Sequence, residues 1–199
     1  MKNYIQLAVV VILALIVFNP WVLTSVIASG DFWYFFPSMT HNLSIYPQAW
    51  YSVVGNGLGG SGIVYQNPVV NFATALNIVS IFNLSWEYVS KFLFYFPFVI
   101  TSILSSIFLV KKILPKNLIW LSTPIIFLLN TYSLMLVGGG QILLALAYAI
   151  MPFAIYAFIR LMNQSRNNLI NVSITGSFLA FQIVLDLRMA FITFFGGFI

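Results

Sequence analysis

The sequence predicts an all-α membrane protein with about five transmembrane helices and two short juxtamembrane helices in a large first outer loop. Of its 199 residues, 61% are hydrophobic and only 6% charged, whereas soluble domains carry about a quarter charged residues. Its mean hydropathy is +1.02. Apolar runs of about 20 residues, the length that crosses a hydrocarbon core, recur through most of the chain. A water-exposed surface cannot be assembled from that stock, so the lipid bilayer is the first expected partner.

The first run, 5–28, follows Lys2 and is interrupted only by Asn19-Pro20. A cleaved signal peptide ending at Val26-Ile27-Ala28 is one reading. The run exceeds the 7–15 residues of a signal h-region, which favours an uncleaved signal anchor over 1–28. Residues 29–87 form the only long polar-tolerant stretch and are expected to be one outer loop. Within it, 37–51 and 69–84 are semi-apolar and read as helices lying along the membrane surface, joined by the glycine-rich connector Gly55 to Gly62. Four further spans are expected over 88–199, at 92–110, 118–136, 141–159 and 169–187, with Gly138-Gly139-Gly140 as a turn between two of them. The remaining apolar stub, 189–199, ends without a polar tail and reads as the edge of a longer protein. The whole is expected to be a single transmembrane domain, 1–199.

The net charge of +5 comes from eight Lys and Arg set beside the apolar runs, which makes them topology determinants and argues against a nucleic-acid partner. With Lys2 inside, Lys111, Lys112, Lys116, Arg160 and Arg166 also fall inside, leaving Lys91 and Arg188 outside. The expected protein is multi-pass, with a cytoplasmic N-terminus and the first loop outside. The absence of Cys removes disulfides and thiolate chemistry, and the single His41 cannot form a His cluster.

Asp31, Glu87 and Asp186 are the only acids, and this topology puts all three at the outer face. Asp31 sits in Ser29-Gly30-Asp31-Phe32-Trp33-Tyr34, where it is either an N-cap among interfacial aromatics or a base or metal-ligating carboxylate in a partly desolvated pocket. Asp186 and Arg188 are two positions apart, so on one continuous helix they would not face each other. They are candidates for substrate binding, with Arg188 suited to a phosphate, or for a structural ion pair of Asp186 with Arg188 or Lys91. Glu87 and Lys91 have the spacing of a helical salt bridge. His41 and Trp50 are further binding candidates in the loop, His41 as a lone imidazole and Trp50 within an aromatic stripe able to stack on sugar rings.

The order of a signal anchor, Gly30-Asp31 with aromatics and Pro37, a large outer loop with Trp50, Gly55 and Tyr65 to Pro68, then serial spans resembles the start of GT-C fold membrane glycosyltransferases. The likeness is to the large arabinofuranosyltransferase-like members, and Leu129-Asn130-Thr131-Tyr132 and Asp186-Leu187-Arg188 share it. The resemblance implies Asp31 as the catalytic base or metal-associated carboxylate, a polyprenyl-phosphate-linked sugar as donor, and a divalent metal ion as a cofactor to be tested for. The chain departs from the family in lacking an Asp-x-Asp or Glu-x-Asp pair in the loop and in having about half the usual spans. Two other functions stay open: a transporter or flippase subunit, which would carry its ionisable residues at the membrane midplane, and a non-catalytic membrane scaffold, in which the acids would tolerate mutation. Donor sugar, acceptor and oligomeric state are not legible.

Overall fold

Helices form wherever the apolar runs are long, and polar side chains or glycines decide where they stop. The computed structural model describes residues 2–23, 81–114, 122–163 and 169–197, together with 30, 75, 78 and 79. Among these residues the fold is all-helical, as the composition predicts. In chain order the helices are α1 (Lys2–Val17), α2 (Asn19–Leu23), α3 (Trp86–Ile113), α4 (Ser122–Leu128), α5 (Thr131–Gly138), α6 (Ile142–Met162), α7 (Leu169–Leu185) and α8 (Leu187–Gly196).

The expected first span bends early. Pro20 stands in the first turn of α2, where its missing N–H costs nothing, and Phe18 is the turn residue between α1 and α2. Val10, Ala14 and Phe18, four residues apart, form the buried stripe of α1, while Val9, Ile12 and Ile16 are exposed. Phe18 stacks on Trp21 at 4.2 Å, and Trp21 meets Tyr95 of α3 at 4.5 Å. With Phe18 also against Phe98, α1 runs antiparallel to α3.

Helix α3 begins after Asn83, whose φ of 51° is left-handed and suits an asparagine. Glu87 in its first turn and Lys111 and Lys112 in its last complement the helix dipole. The Glu87–Lys91 salt bridge anticipated from spacing is present at 2.9 Å. Just before Pro97 the helix widens into a π turn over Lys91–Tyr95, with the Phe96 N–H reaching Lys91 O. A proline removes one N–H and crowds the carbonyl four residues back, and a wider turn relieves that crowding.

The expected span 118–136 is two helices. Asn130 breaks it, because its Oδ1 accepts from Ser133 N–H at 2.8 Å and so starts α5, while its Nδ2 donates to Phe127 O at 2.7 Å. A short amide thus competes successfully with the backbone. The three-glycine turn is found as expected: Gln141 N–H bonds Leu136 O and Gly140 N–H bonds Val137 O, a Schellman closure. It needs the φ of +75° at Gly140, which a side chain would strain.

Helix α6 is the centre. Its alanines 145, 147, 149 and 154 are fully buried, and α3, α7 and α8 pack around it. Helices α3 and α6 run parallel and close, with buried Ser102, Ser105 and Ser106 facing the alanines and Ser105 Oγ donating to Ala149 O at 2.6 Å. Small residues and interhelical hydroxyl bonds are what hold helices together when hydrophobic burial cannot. Helix α7 runs antiparallel to α6, as the pairs Gln182–Ala147 and Phe178–Phe153 show.

The expected last span and its stub are a helical hairpin. The run ends at Leu185, Asp186 takes an extended conformation, and α8 folds back so that Thr193 meets Gln182 and Phe194 meets Phe158. Among the described residues two helices, Trp86–Ile113 and Ile142–Met162, are long and apolar enough to cross a membrane. At 1.5 Å per residue they reach about 42 Å and about 31 Å, against roughly 30 Å of hydrocarbon.

These pairings give the bundle two chemically distinct ends. The start of α3 with Glu87, the glycine turn and Asp186 lie at one, hereafter the acidic end. The last turns of α3 and α6, with Lys111, Lys112 and Arg160, lie at the other, the basic end, where α1 also begins.

Candidate functional site

The acidic end brings together the α7–α8 break, the α4–α5 break and the glycine turn. Asp186 is the N-cap of α8: its Oδ1 accepts from the N–H of Arg188 at 2.9 Å and of Met189 at 3.4 Å. The extended backbone at Asp186, φ −161° and ψ 115°, turns the chain so that Arg188 reaches back. Arg188 Nη2 lies 2.7 Å from Asp186 Oδ2, and Nε lies within 3.3 Å of both carboxylate oxygens. Of the expected alternatives, the ion pair of Asp186 with Arg188 is the one formed, and it forms at a separation of two because no single helix contains both residues. Lys91 is paired with Glu87 instead.

Burial raises the Asp186 carboxyl pKa, but the Arg188 hydrogen bond and charge, with the two backbone N–H groups, outweigh it and leave the group below the usual carboxylate range. Arg188 is shifted upward by the same partner. Its side chain is 72% exposed against 13% for Asp186, so the guanidinium edge facing away from Asp186 stays open. Asp186 thus fixes a cation in place and leaves part of its donor fork available.

Around this pair, Tyr132 Oη is 3.8 Å from Met189 Sδ, and its ring lies edge-on to Tyr148 at 5.4 Å. Tyr148 in turn stacks on Phe127 at 4.4 Å and receives Asn130 Nδ2 at 2.9 Å. Asn130 therefore caps α5 and anchors the aromatic wall beside Arg188. Beneath the break, fully buried Gln182 donates to Ala147 O at 2.9 Å and to Thr193 Oγ1 at 3.0 Å, while Thr193 donates to Met189 O. This ties α6, α7 and α8 under Asp186. The sequence reading passed over Gln182 and Thr193; a glutamine inside an apolar helix is the signal that could have found them.

Gly30, which precedes Asp31 in the sequence, is also at this end. Its φ is +52°, and a Cβ there would overlap the backbone of Gly139. The missing side chain of Gly30 is what lets these backbones touch. Asp31, His41, Trp50 and the expected surface helix 37–51 lie outside the described residues; of the one expected at 69–84, residues 75, 78, 79, 81 and 82 are helical, with Ala75 and Val79 buried and Ile81 and Phe82 exposed.

Among the described residues no group of three His, Asp or Glu side chains converges on a metal site. The carboxylate oxygens of Asp186 are already taken by Arg188 and the α8 N–H groups. The described residues do not fit a metal cation. Comparison with protein-family models, with curated proteins and with solved structures finds nothing that matches this chain.

Proposed function

We propose that the chain is a membrane glycosyltransferase module that transfers a sugar from a polyprenyl-phosphate-linked donor at the face carrying the acidic end. One observation carries the reading: Gly30, immediately before Asp31, packs on Gly139 at the end of the bundle where Asp186 presents Arg188. In this proposal Asp31 takes the proton from the acceptor hydroxyl as it attacks the sugar. Arg188, held by Asp186, meets the departing phosphate through its open edge. Tyr132 and the residues around it flank the donor.

The segregation of charge supports a topology with the basic end in the cytoplasm and the acidic end outside. With α1–α2, α3, α4–α5, α6 and the α7–α8 hairpin each taken as a membrane passage or re-entrant segment, the count is about five. A non-catalytic scaffold is the second reading, favoured by the closed cap at Asp186, which uses both members of the pair structurally.

Activity decides between them. The full chain in lipid, supplied with a polyprenyl-phosphate sugar and followed by release of the polyprenyl phosphate, should lose transfer in Asp31→Asn while keeping its fold, since an amide of the same size cannot act as a base. Full activity in Asp31→Asn would remove the catalytic assignment, and no transfer by the wild-type chain would favour the scaffold.

A further inference from the structure

The basic end holds a cavity that the proposed reaction does not use. It occupies about 200 Å³ between α3, α6 and α7. Phe108, Phe153 and Phe178 form its walls, with Phe153 and Phe178 stacked at 5.6 Å and Phe108 at 5.6 Å from Phe153. Tyr156, Arg160 and Asn171 complete the lining. Arg160 is exposed and forms no ion pair among the described residues. Because α3 and α6 run parallel, Lys111 and Lys112 come one turn beyond Phe108 much as Arg160 comes one turn beyond Tyr156.

We propose that this slot binds one anionic phospholipid, with the phosphodiester at Arg160 and part of an acyl chain among Phe108, Phe153 and Phe178. The lining is apolar and aromatic except at its rim, so a wholly hydrophilic ligand would leave most of it uncovered. An unpaired guanidinium at that rim calls for an anion, and guanidinium suits a phosphate in particular. A molecule that is anionic at one end and hydrocarbon at the other satisfies both. The two long apolar helices among the described residues end at this level, where headgroups of a surrounding bilayer would lie, and basic pockets between helices are the places where such headgroups are held. A zwitterionic lipid also carries a phosphodiester, but it would set its headgroup cation beside Arg160, Lys111 and Lys112 and so is held less well than an anionic one. The site lies at the opposite end of the bundle from Asp186 and is independent of the transfer reaction.

Native mass spectrometry of the full chain in micelles tests this, using equal amounts of phosphatidylglycerol and phosphatidylcholine with identical acyl chains. Wild type should retain one phosphatidylglycerol in preference to phosphatidylcholine. Arg160→Gln should lower that preference about fivefold, the size expected for one basic residue near an anionic headgroup. Ile174→Trp, which fills the slot while keeping Arg160, should lower it as well. Lys112→Gln should change it less than Arg160→Gln. Equal retention of the two lipids by wild type, an unchanged preference in Arg160→Gln or Ile174→Trp, or a loss in Lys112→Gln as large as in Arg160→Gln would each overturn the proposal. Release of the bound lipid by free glycerol phosphate would do so too, since it would reduce the site to an anion contact.

Discussion

The breaks at Asn130 and at Asp186 both interrupt apolar stretches, and they are built from different chemistry. At Asn130 the cap is a neutral amide, tied to Phe127 O, Ser133 N–H and the Tyr148 hydroxyl. At Asp186 the cap is a carboxylate whose charge is matched by an exposed arginine. The amide uses every bond it makes to hold protein to protein, so its break is a fixed joint. The carboxylate also holds its helix, but leaves a cation facing outwards. A charge next to hydrocarbon costs free energy unless it is paired, and the pairing at Asp186 spends only part of the guanidinium's donor set. One joint only shapes the bundle, and the other also leaves a held cation exposed.

Breaking the first joint should have the larger effect on stability. Asn130→Leu removes the α5 cap, worth about 1–2 kcal/mol, and strands the Phe127 carbonyl and Tyr148 hydroxyl, for about 2–4 kcal/mol in all. Unfolding by SDS in mixed micelles, monitored by circular dichroism, measures the loss. A change below about 0.5 kcal/mol would show that Asn130 is incidental to the break.

The second joint should cost less and divide more sharply by substitution. Asp186→Ala should lose about 1 kcal/mol, because α8 forfeits its cap. Asp186→Asn should retain most of the cap, since the amide oxygen can still accept from the Arg188 and Met189 N–H groups, yet free the guanidinium from its partner. Equal losses in the two variants, measured in the same SDS titration, would mean that the ion pair rather than the cap stabilises the hairpin.

The pH dependence sharpens the same point with the smallest effect. The folded-state pKa of Asp186 lies below its ordinary value, so its contribution is complete above the usual carboxylate range and is lost as pH falls through the lowered value. Wild-type stability should therefore exceed that of Asp186→Asn by a constant amount from pH 7 to about pH 5. The two curves should converge only in stronger acid, below the unperturbed carboxylate pKa of about 3.9. Convergence already near pH 6 would contradict a depressed carboxyl.

Much of the bundle was legible in the sequence because its signals are local. The span at 141–159 is α6 with its ends moved by a few residues, the three glycines turn where three glycines should, and Glu87 pairs with Lys91. The breaks were not legible, because Asn130 and Asp186 stand inside runs whose average hydropathy is high. A window long enough to detect a span averages out the one residue that divides it. Whether a polar residue caps a new helix or stays within the old one depends on what lies opposite, here Tyr148 for Asn130 and Arg188 for Asp186. Spacing alone left the Asp186–Arg188 pair as one alternative, since on a continuous helix the two would not face each other; the extended backbone at Asp186 is what decides for it. Gln182 and Thr193, eleven positions apart, could meet only once the chain folded back on itself. Of the candidate site residues, Asp186 and Arg188 are seen together, while Asp31, His41 and Trp50 fall outside the described residues.

The proposed reaction requires that the segment carrying Asp31 and the Asp186–Arg188 break share one end of the bundle. The chain contains no Cys, so pairs of spin labels can be placed without background and their separations compared by pulsed electron resonance in lipid. Labels at Ser29→Cys and Leu187→Cys, both flanking the proposed site, should lie closer together than labels at Ser29→Cys and Leu169→Cys. The second label of that pair sits at the opposite end of α7, about 25 Å away by helix geometry. The difference should be on the order of the length of α7, about 25 Å. A Ser29–Leu187 separation equal to or longer than the Ser29–Leu169 separation would place Asp31 away from Arg188 and contradict the shared site.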